Sequence, residues 1–398
     1  MRVLMFSWEY PPHVVGGLGK HVAEILPPLG SLRDLEVHLV TPRWGGGAAR
    51  ETVGTATVHR VDPPITEGDF FTNAWQTNMR LEEYARTVWQ ESGPFDLIHV
   101  HDWLVAFVGA AFKRNYAVPL VSTIHATEKG RGRGSLGSDQ ARAIHHIEWW
   151  LTYESWRVIA CSEYMADEIV DYFSCPRDKI DVIPNGVDTE RFDRLDGQGL
   201  SLFRNMYALP FEQIVFSVGR IVYEKGLHLL IDAMPAILAQ HPAAKIVIAG
   251  KGPELDALRS QAWRVGVGEK VLLTGFITDE NRDKLFKIAS CAVFPSIYEP
   301  FGIVALEAMA AKCPVVVTAV GGLKDVVLHN ETGIVVHPNN PDSLAWGIVH
   351  TLENPKWSRQ RVANAYEVVR SRYNWEQIAR NTAGVYRQVA AERAVTEW

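Results

Sequence analysis

The sequence predicts an α/β protein with two doubly wound, Rossmann-like domains that face each other across a cleft. Short apolar, β-branched runs alternate with helical patterns along almost the whole chain. These runs are apolar throughout rather than at every second residue, which is typical of parallel strands buried on both faces. One polar, turn-rich stretch, VIPNGVDTERFDRLDGQG, interrupts the alternation, and a fresh strand follows it. The pattern therefore indicates two sheets flanked by helices.

The apolar runs give the predicted strands in order. Before the interruption they are RVLMFSW, EVHLVTP, DLIHVHDW, PLVSTIHA and RVIACSE, and after it IVFSVGR, KIVIAGKG, VLLTGFI, CAVFPS, PVVVTAV and TGIVVHP. A length of 398 residues also favours more than one core, since a domain holds roughly 100 to 200 residues. We expect an N-terminal domain over residues 1–185 and a second domain over residues 186–370. Ligands of such sheets bind beyond the carboxyl ends of the strands.

The C-terminal segment, residues 371–398, has the spacing of an amphipathic helix. Its apolar residues Trp375, Ile378 and Val385 are expected on one packed face. We expect this helix to return to the N-terminal domain.

Composition narrows the class of protein. The chain is 47% apolar and 22% charged, with a formal net charge of −6, so no basic footprint for nucleic acid is present. The N-terminal residues do not read as a secretory signal, and no run of about 18 apolar residues occurs; a cytoplasmic protein is expected. The four cysteines show neither zinc nor disulfide spacing, and we interpret them as buried thiols.

A glycine pair precedes the first predicted helix, in EYPPHVVGGLGKHVAEIL. Gly16 and Gly17 would let backbone N–H groups approach an anion at the positive end of the helix dipole. The spacing is not that of a dinucleotide fingerprint, and a purely structural turn is the alternative.

Two cations follow the first strand of the second half, in SVGRIVYEKG. Arg220 and Lys225 would suit a diphosphate, with a forked contact from arginine and a point charge from lysine. Two solvated surface cations are the alternative.

Histidines end two strands of the first half. His101 and Asp102 close DLIHVHDW, and His125 and Glu128 follow the next strand in TIHATEKGRGRG. A polar cluster beside a mobile loop is typical of a substrate site, although core histidines would give the same pattern.

Two acids lie eight residues apart in PSIYEPFGIVALEAMA. On one continuous helix Glu299 and Glu307 would be separated by about 80° and could face the same ligand. The N–H groups of Gly302, Ile303 and Val304 would then be free at the helix start.

Together these motifs resemble the retaining, nucleotide-sugar-dependent glycosyltransferases of the GT-B fold, of the E-x7-E type (family 4). GR-x4-KG, E-x7-E and VGGLKDVV occur in the family's order, as do GGLGKH, HVHDW and TIHATE. The resemblance spans nearly the whole chain.

The resemblance implies a role for each matching residue. Arg220 and Lys225 would bind the donor diphosphate, Glu307 the ribose hydroxyls, and Glu299 and His125 the transferred sugar. Donor contacts are further implied for backbone groups of the following residues: Gly16, Gly17, Ile277, Gly302, Ile303 and Val304. His101, Asp102 and Glu128 would lie on the acceptor side. No metal and no other cofactor is implied.

The acceptor stays open at this point. HVHDW and TIHATE are similar to glycogen and starch synthases, but Val14 replaces their usual lysine and Glu307 is an acid that they usually lack. We expect glucose transfer from ADP- or UDP-glucose to a saccharide, with an α-1,4-glucan favoured. The alternatives are another hexosyl transfer to a sugar phosphate, lipid or exopolysaccharide, and a non-catalytic nucleotide-sugar-binding protein.

The sequence does not fix an oligomeric state. A membrane face is an alternative for the aromatic segment HHIEWWLTYESW, for which buried aromatics of one helix are favoured.

Overall fold

The computed structural model describes residues 1–65 and 68–397. The chain forms two compact units, which we call unit 1 (Met1–Gly186 and the residues from Trp375 onward) and unit 2 (Val187–Asn374). The predicted boundaries at 185 and 370 lie near these limits.

Unit 1 is built on a sheet that has eight strands within the described residues. Its strands are β1 (Arg2–Phe6), β2 (Glu36–Pro42), β3 (Arg50–Val53), β4 (Ala56–Val61), β5 (Leu97–His101), β6 (Leu120–Ile124), β7 (Arg157–Ala160) and β8 (Ile180–Val182). The order is β3-β4-β2-β1-β5-β6-β7-β8, and only the β3–β4 pair is antiparallel. The central strands are buried along their length, as expected for strands covered on both faces.

The first helices connect these strands: α1 (Gly17–Leu29), α2 (Phe70–Ser92), α3 (Ala106–Tyr116), α4 (Glu128–Arg131), α5 (Asp139–Glu154) and α6 (Glu163–Phe173). Several begin at a side chain that accepts a hydrogen bond from a free N–H group of the first turn. Asp69 caps α2, Ser138 caps α5 and Ser162 caps α6.

Unit 2 has a parallel sheet of six described strands, in the order β11-β10-β9-β12-β13-β14. The strands are β9 (Gln213–Val218), β10 (Ala244–Ala249), β11 (Val271–Gly275), β12 (Cys291–Phe294), β13 (Val315–Thr318) and β14 (Ile334–Val336). Its helices are α7 (Glu190–Asp193), α8 (Ser201–Asn205), α9 (Leu227–Gln240), α10 (Leu255–Arg264), α11 (Asp279–Ile288), α12 (Ile303–Ala310), α13 (Leu323–Val326), α14 (Pro341–Glu353) and α15 (Pro355–Arg372).

The last helix, α16 (Trp375–Ala394), belongs to unit 1 and packs on α1. It begins at Trp375 rather than at residue 371, because the preceding helix α15 continues to Arg372. The Val187 N–H donates to the Tyr373 carbonyl within unit 2, at 2.9 Å. The predicted burial of Trp375, Ile378 and Val385 is confirmed, since all three lie in the core of unit 1.

All of the predicted strands are present, and three further strands were not predicted from the sequence. β3 is exposed and polar, β4 alternates rather than running apolar throughout, and β8 has three residues. The prediction for the cysteines is confirmed, because all four are free and buried. Within the described residues, no helix combines the length and the apolarity that a membrane crossing requires.

Candidate active site

Three histidines meet at the carboxyl ends of β5 and β6 in unit 1. The Nδ1 atom of His101 lies 3.1 Å from Nε2 of His125. The ring of His21, from α1, is centred 5.4 Å from that of His101 and 4.8 Å from that of His125. Burial lowers the pKa of both His21 and His125 to about 3. The rings are therefore neutral hydrogen-bonding groups at neutral pH.

The same cluster has the composition of a metal site. One ring nitrogen each from His21, His101 and His125 lies within 4.8 Å of the others. His21 Nδ1 is also 2.6 Å from Asn185 Oδ1, so this nitrogen carries the proton and Nε2 keeps its lone pair. Neutral imidazoles with one fixed nitrogen suit a transition metal. The expectation of a metal-free site is thus open to a direct chelator test.

Asp102 positions the backbone of His125. Its Oδ1 atom accepts a hydrogen bond from the His125 N–H at 2.7 Å, and its own backbone has a φ of 60°. Burial raises the pKa of Asp102 to about 6, although Arg131 opposes this shift. Asp102 therefore titrates close to neutrality, in contact with the predicted sugar-binding residue.

Glu128 opens α4, and its N–H donates to both carboxylate oxygens of Glu148, at 2.9 and 3.0 Å. Glu148 is buried on α5, and burial raises its pKa to about 8. The loop predicted beside His125 and Glu128 begins later than expected, because residues 129–131 are helical. The capping hydroxyl of Thr127, which accepts from the Gly130 N–H at 3.0 Å, explains that turn.

The glycine pair lies where α1 begins, with Gly16 as the cap and Gly17 as the first helical residue. The amides of Val15 and Gly16 already donate to the Oε2 atom of Glu9, at 2.8 and 3.1 Å. Gly17 is exposed at the first helical position, so its N–H has no acceptor within the helix. Sequence reasoning missed Glu9, whose carboxylate fixes this turn.

In unit 2, the predicted cations and the first acid lie together beyond β9 and β12. Lys225 Nζ is 2.6 Å from Glu299 Oε2, and the Ser296 hydroxyl donates to the same oxygen at 3.2 Å. Arg220 is half-exposed and lines one small pocket with Lys225, Glu299 and Val304. The structure thus brings a paired acid and base and a second cation to one edge of the sheet.

Gly226 allows the loop after β9 to lie against the loop after β12. Gly226 follows Lys225 with a φ of 64°, and a Cβ atom there would lie 2.0 Å from the Pro295 carbonyl oxygen. Only glycine combines that conformation with so close a backbone contact. The loop after β9 can therefore press against the loop after β12, which carries Glu299.

The expectation that both acids share one helix is wrong. α12 begins at Ile303, and Gly302 precedes it with a φ of 103°, so Glu299 lies in the preceding loop. A Cβ atom at Gly302 would lie 2.6 Å from a methyl group of Leu323, which packs into the turn. The amides of Ile303 and Val304 open the helix and have no acceptor four residues back within it.

Glu307 is buried on α12 among arginines. Its Oε1 atom accepts from Arg191 and lies 3.3 Å from Arg282, while Arg191 also lies 3.4 Å from Asp283. Its predicted contact with ribose stays a prediction. Sequence reasoning missed Arg191, because it comes from the polar stretch that signalled a boundary rather than a site.

Ile277 lies between β11 and α11, at the same edge of the sheet. It is half-buried, whereas its neighbour Phe276 is exposed and has Lys251 Nζ 5.4 Å above its ring. An exposed aromatic ring beside a backbone turn is compatible with the predicted base contact, which stays a prediction.

Comparisons with known proteins match nearly the whole chain. The model described as Glycosyltransferase Family 4 covers residues 15–191, and the one described as Glycosyl transferases group 1 covers residues 208–368. An uncharacterized glycosyltransferase of Methanocaldococcus jannaschii is 41% identical, over 97% of this chain and 98% of its own. Glycogen synthase of Mycobacterium tuberculosis is 35% identical, over 99% and 95%.

The fold is also similar to that of a solved structure, sucrose-phosphate synthase from Thermosynechococcus elongatus. The TM-score is 0.81 at 24% identity, covering 98% of this chain and 99% of the other. Similarity at this level of identity concerns the fold.

Proposed function

Because this chain belongs to the family 4 glycosyltransferases and has the GT-B fold, we propose that it is a retaining hexosyltransferase. The donor in this proposal is ADP- or UDP-glucose, and the acceptor is a saccharide hydroxyl of an α-1,4-glucan. The name of the M. tuberculosis relative, glycogen synthase, supports the choice of acceptor.

The observation that carries the proposal is the Lys225–Glu299 pair beside Arg220 and the open start of α12. Negative charge builds on the departing diphosphate during transfer, and fixed cations and helix N–H groups aimed at it stabilise that charge. Arg220, Lys225, Ile303 and Val304 take this role in the proposal. Glu299 accepts a hydrogen bond from a hydroxyl of the transferred sugar.

In this proposal, the reaction requires no general acid or general base from the protein. The acceptor oxygen bonds to the anomeric carbon on the face from which the diphosphate leaves, and its proton passes to the departing phosphate oxygen. In the proposal, His125 contacts the sugar as a neutral donor or acceptor, in keeping with its lowered pKa. Its backbone is held by Asp102.

The test is a screen of nucleotide sugars against maltodextrin, read as release of nucleoside diphosphate. We expect release with ADP-glucose or UDP-glucose and an unchanged rate after chelation with EDTA. Release from no donor and acceptor pair would contradict the transferase. Loss of activity in EDTA, restored by zinc, would instead assign a metal to the cluster of His21, His101 and His125.

A second candidate is hexosyl transfer to a lipid-linked acceptor. It is favoured by Trp149 and Tyr153 on α5, which stack on each other with 39% and 69% of their surfaces exposed. The interpretation of this helix as wholly buried aromatics is therefore wrong for these two side chains. Co-sedimentation with anionic vesicles tests this candidate, and Trp149→Ala should abolish any binding found.

A further inference from the structure

A tryptophan follows the carboxyl end of each of three neighbouring strands in unit 1. Trp44 lies two residues beyond β2, Trp8 two residues beyond β1, and Trp103 two residues beyond β5. These strands are adjacent in the order β2-β1-β5. Equal offsets from neighbouring parallel strands place the three rings along the ligand-binding edge of the sheet.

Phe70, the first residue of α2, joins these rings into a continuous row. Ring centroids lie 5.5 Å apart from Trp44 to Trp8, 6.5 Å from Trp8 to Phe70, and 5.9 Å from Phe70 to Trp103. We call Trp44, Trp8, Phe70 and Trp103 the aromatic strip. Trp103 follows Asp102 in the sequence, so this end of the strip lies next to the candidate site.

The strip passes from a buried ring at Trp103 to rings that keep exposed surface. Trp103 is buried, Trp8 and Trp44 are half-buried, and Phe70 is 47% exposed. At the Trp44 end of the strip, Arg43 and Asp62 form a bidentate ion pair, at 2.6 and 2.7 Å, which supplies a polar rim. Apolar rings flanked by a few polar groups are typical of small-molecule sites.

A sugar chain matches this chemistry. One face of a hexose ring presents C–H bonds, which carry partial positive charge and pack on the negative face of an aromatic ring. The hydroxyl groups at the ring edge can reach the polar rim. Trp44, Trp8 and Phe70 keep exposed ring surface, and three rings in a row exceed the footprint of a single hexose, so the ligand is a chain of several units.

We propose that the aromatic strip binds the acceptor as an extended saccharide chain, with the end to be elongated at the Asp102 end. The inference rests on the proposed function and narrows it, because a row of rings is of little use to a sugar phosphate. A lipid surface would instead require fully exposed rings, whereas Trp103 is buried and Trp8 is half-buried.

Calorimetric titration with maltoheptaose, without any donor, tests the strip. We expect Phe70→Ala and Trp8→Ala to weaken binding about tenfold, the scale of one lost aromatic contact. Phe70→Trp should restore wild-type affinity, because it keeps a stacking ring. Phe70 is 47% exposed, so its substitution should leave folding intact even where Trp8→Ala does not.

Trp75→Ala is the matched control. Trp75 is 46% exposed, close to Phe70, and lies on the same helix, but five residues further on it points about 140° away. Its substitution should leave maltoheptaose binding unchanged. Equal binding by wild type, Phe70→Ala and Trp8→Ala would overturn the proposal.

The outcome also separates this inference from the proposed function. Diphosphate release with a sugar phosphate or lipid acceptor, without maltoheptaose binding, would overturn the strip and leave the transferase standing. Binding that depends on Phe70 and Trp8, without release from any donor, would support the strip and contradict the transferase.

Discussion

The two units differ in how burial and pairing control the charge at the carboxyl ends of their strands. In unit 1, His21 and His125 are kept neutral by burial, and burial also raises the pKa of Asp102 and of Glu148. In unit 2, the corresponding edge carries formal charges that are held in pairs. Lys225 pairs with Glu299 there.

The difference separates two tasks. Neutral, desolvated groups bind hydroxyls by hydrogen bonds without attracting competing ions, whereas fixed cations stabilise a charged leaving group. In our proposal, unit 1 accordingly binds the sugars and unit 2 binds the diphosphate. Each prediction below removes a group from one side of this comparison.

The largest effect is expected for Lys225→Ala in unit 2. It removes a fixed cation and leaves the buried Glu299 carboxylate without its closest partner, so kcat should fall by about a thousandfold. Initial rates of diphosphate release measure this. Lys356→Ala, at an exposed lysine of α15, should keep the wild-type rate. Equal rates in Lys225→Ala and Lys356→Ala would show that the charge of Lys225 has no role in catalysis.

Arg191→Ala tests whether the buried charges of unit 2 stabilise its fold. Glu307 would keep Arg282 but lose its closest cation, and breaking a buried pair costs about 3 kcal/mol. Urea unfolding measures this loss. Arg194→Ala is the control, because this exposed arginine lies 3.8 Å from Asp188, and it should change stability little. If Arg191→Ala is as stable as wild type but has a raised KM for the donor, Glu307 serves ligand binding rather than stability.

His125→Ala tests the neutral side. Loss of one hydrogen-bonding group at the sugar should lower kcat about a hundredfold. Because the pKa of His125 is lowered to about 3, the wild-type pH–rate profile should show no titration from this ring between pH 6 and 8. A titration near pH 6 that disappears in Asp102→Asn belongs to Asp102, whereas one that disappears only in His125→Ala would contradict a neutral ring. His146→Ala, at an exposed histidine, is the control.

Glu148→Gln tests the raised pKa of a buried acid in unit 1 through the pH dependence of stability. The folded pKa, about 8, lies above the ordinary value of 4.5, so only the folded state holds this proton between the two values. The stability that Glu148 contributes is therefore lost as pH rises through that window. Relative to wild type, Glu148→Gln should gain at least about 1.4 kcal/mol from pH 5 to pH 9, the value of one pKa unit.

Thermal or urea unfolding at the two pH values measures this gain. Glu91→Gln, at an exposed acid of α2, is the matched control and should show no such trend. A pH-independent difference between Glu148→Gln and wild type would show that Glu148 is ionised in the folded state.

Sequence patterns were sufficient for the continuously apolar strands, though not for β3, β4 and β8, and for the groups that directly follow the predicted strands. His101, His125, Arg220 and Lys225 all lie within a few residues of apolar runs, so parallel-sheet geometry alone brought them to the expected edges. The same rule, applied to SW, RW and DW after three strands, would also have found the aromatic strip. Offsets from strand ends are a local signal.

Partners from distant segments could not be found in this way. Arg191 reaches Glu307 across 116 positions of sequence, and Glu148 meets the Glu128 amide from a helix that otherwise reads as packing. The eight-residue spacing of Glu299 and Glu307 suits one continuous helix, but Gly302 in its left-handed conformation starts the helix later. These contacts depend on tertiary packing.

The return of α16 to unit 1 affects how the protein is made. Tyr386 and Val389 of this helix lie in the core that α1 also lines, so the first 186 residues leave the ribosome with that core open. All of unit 2 is synthesised before the missing helix appears. The unit that begins first is therefore completed last, and a chain truncated before Trp375 exposes apolar surface that chaperones and proteases recognise.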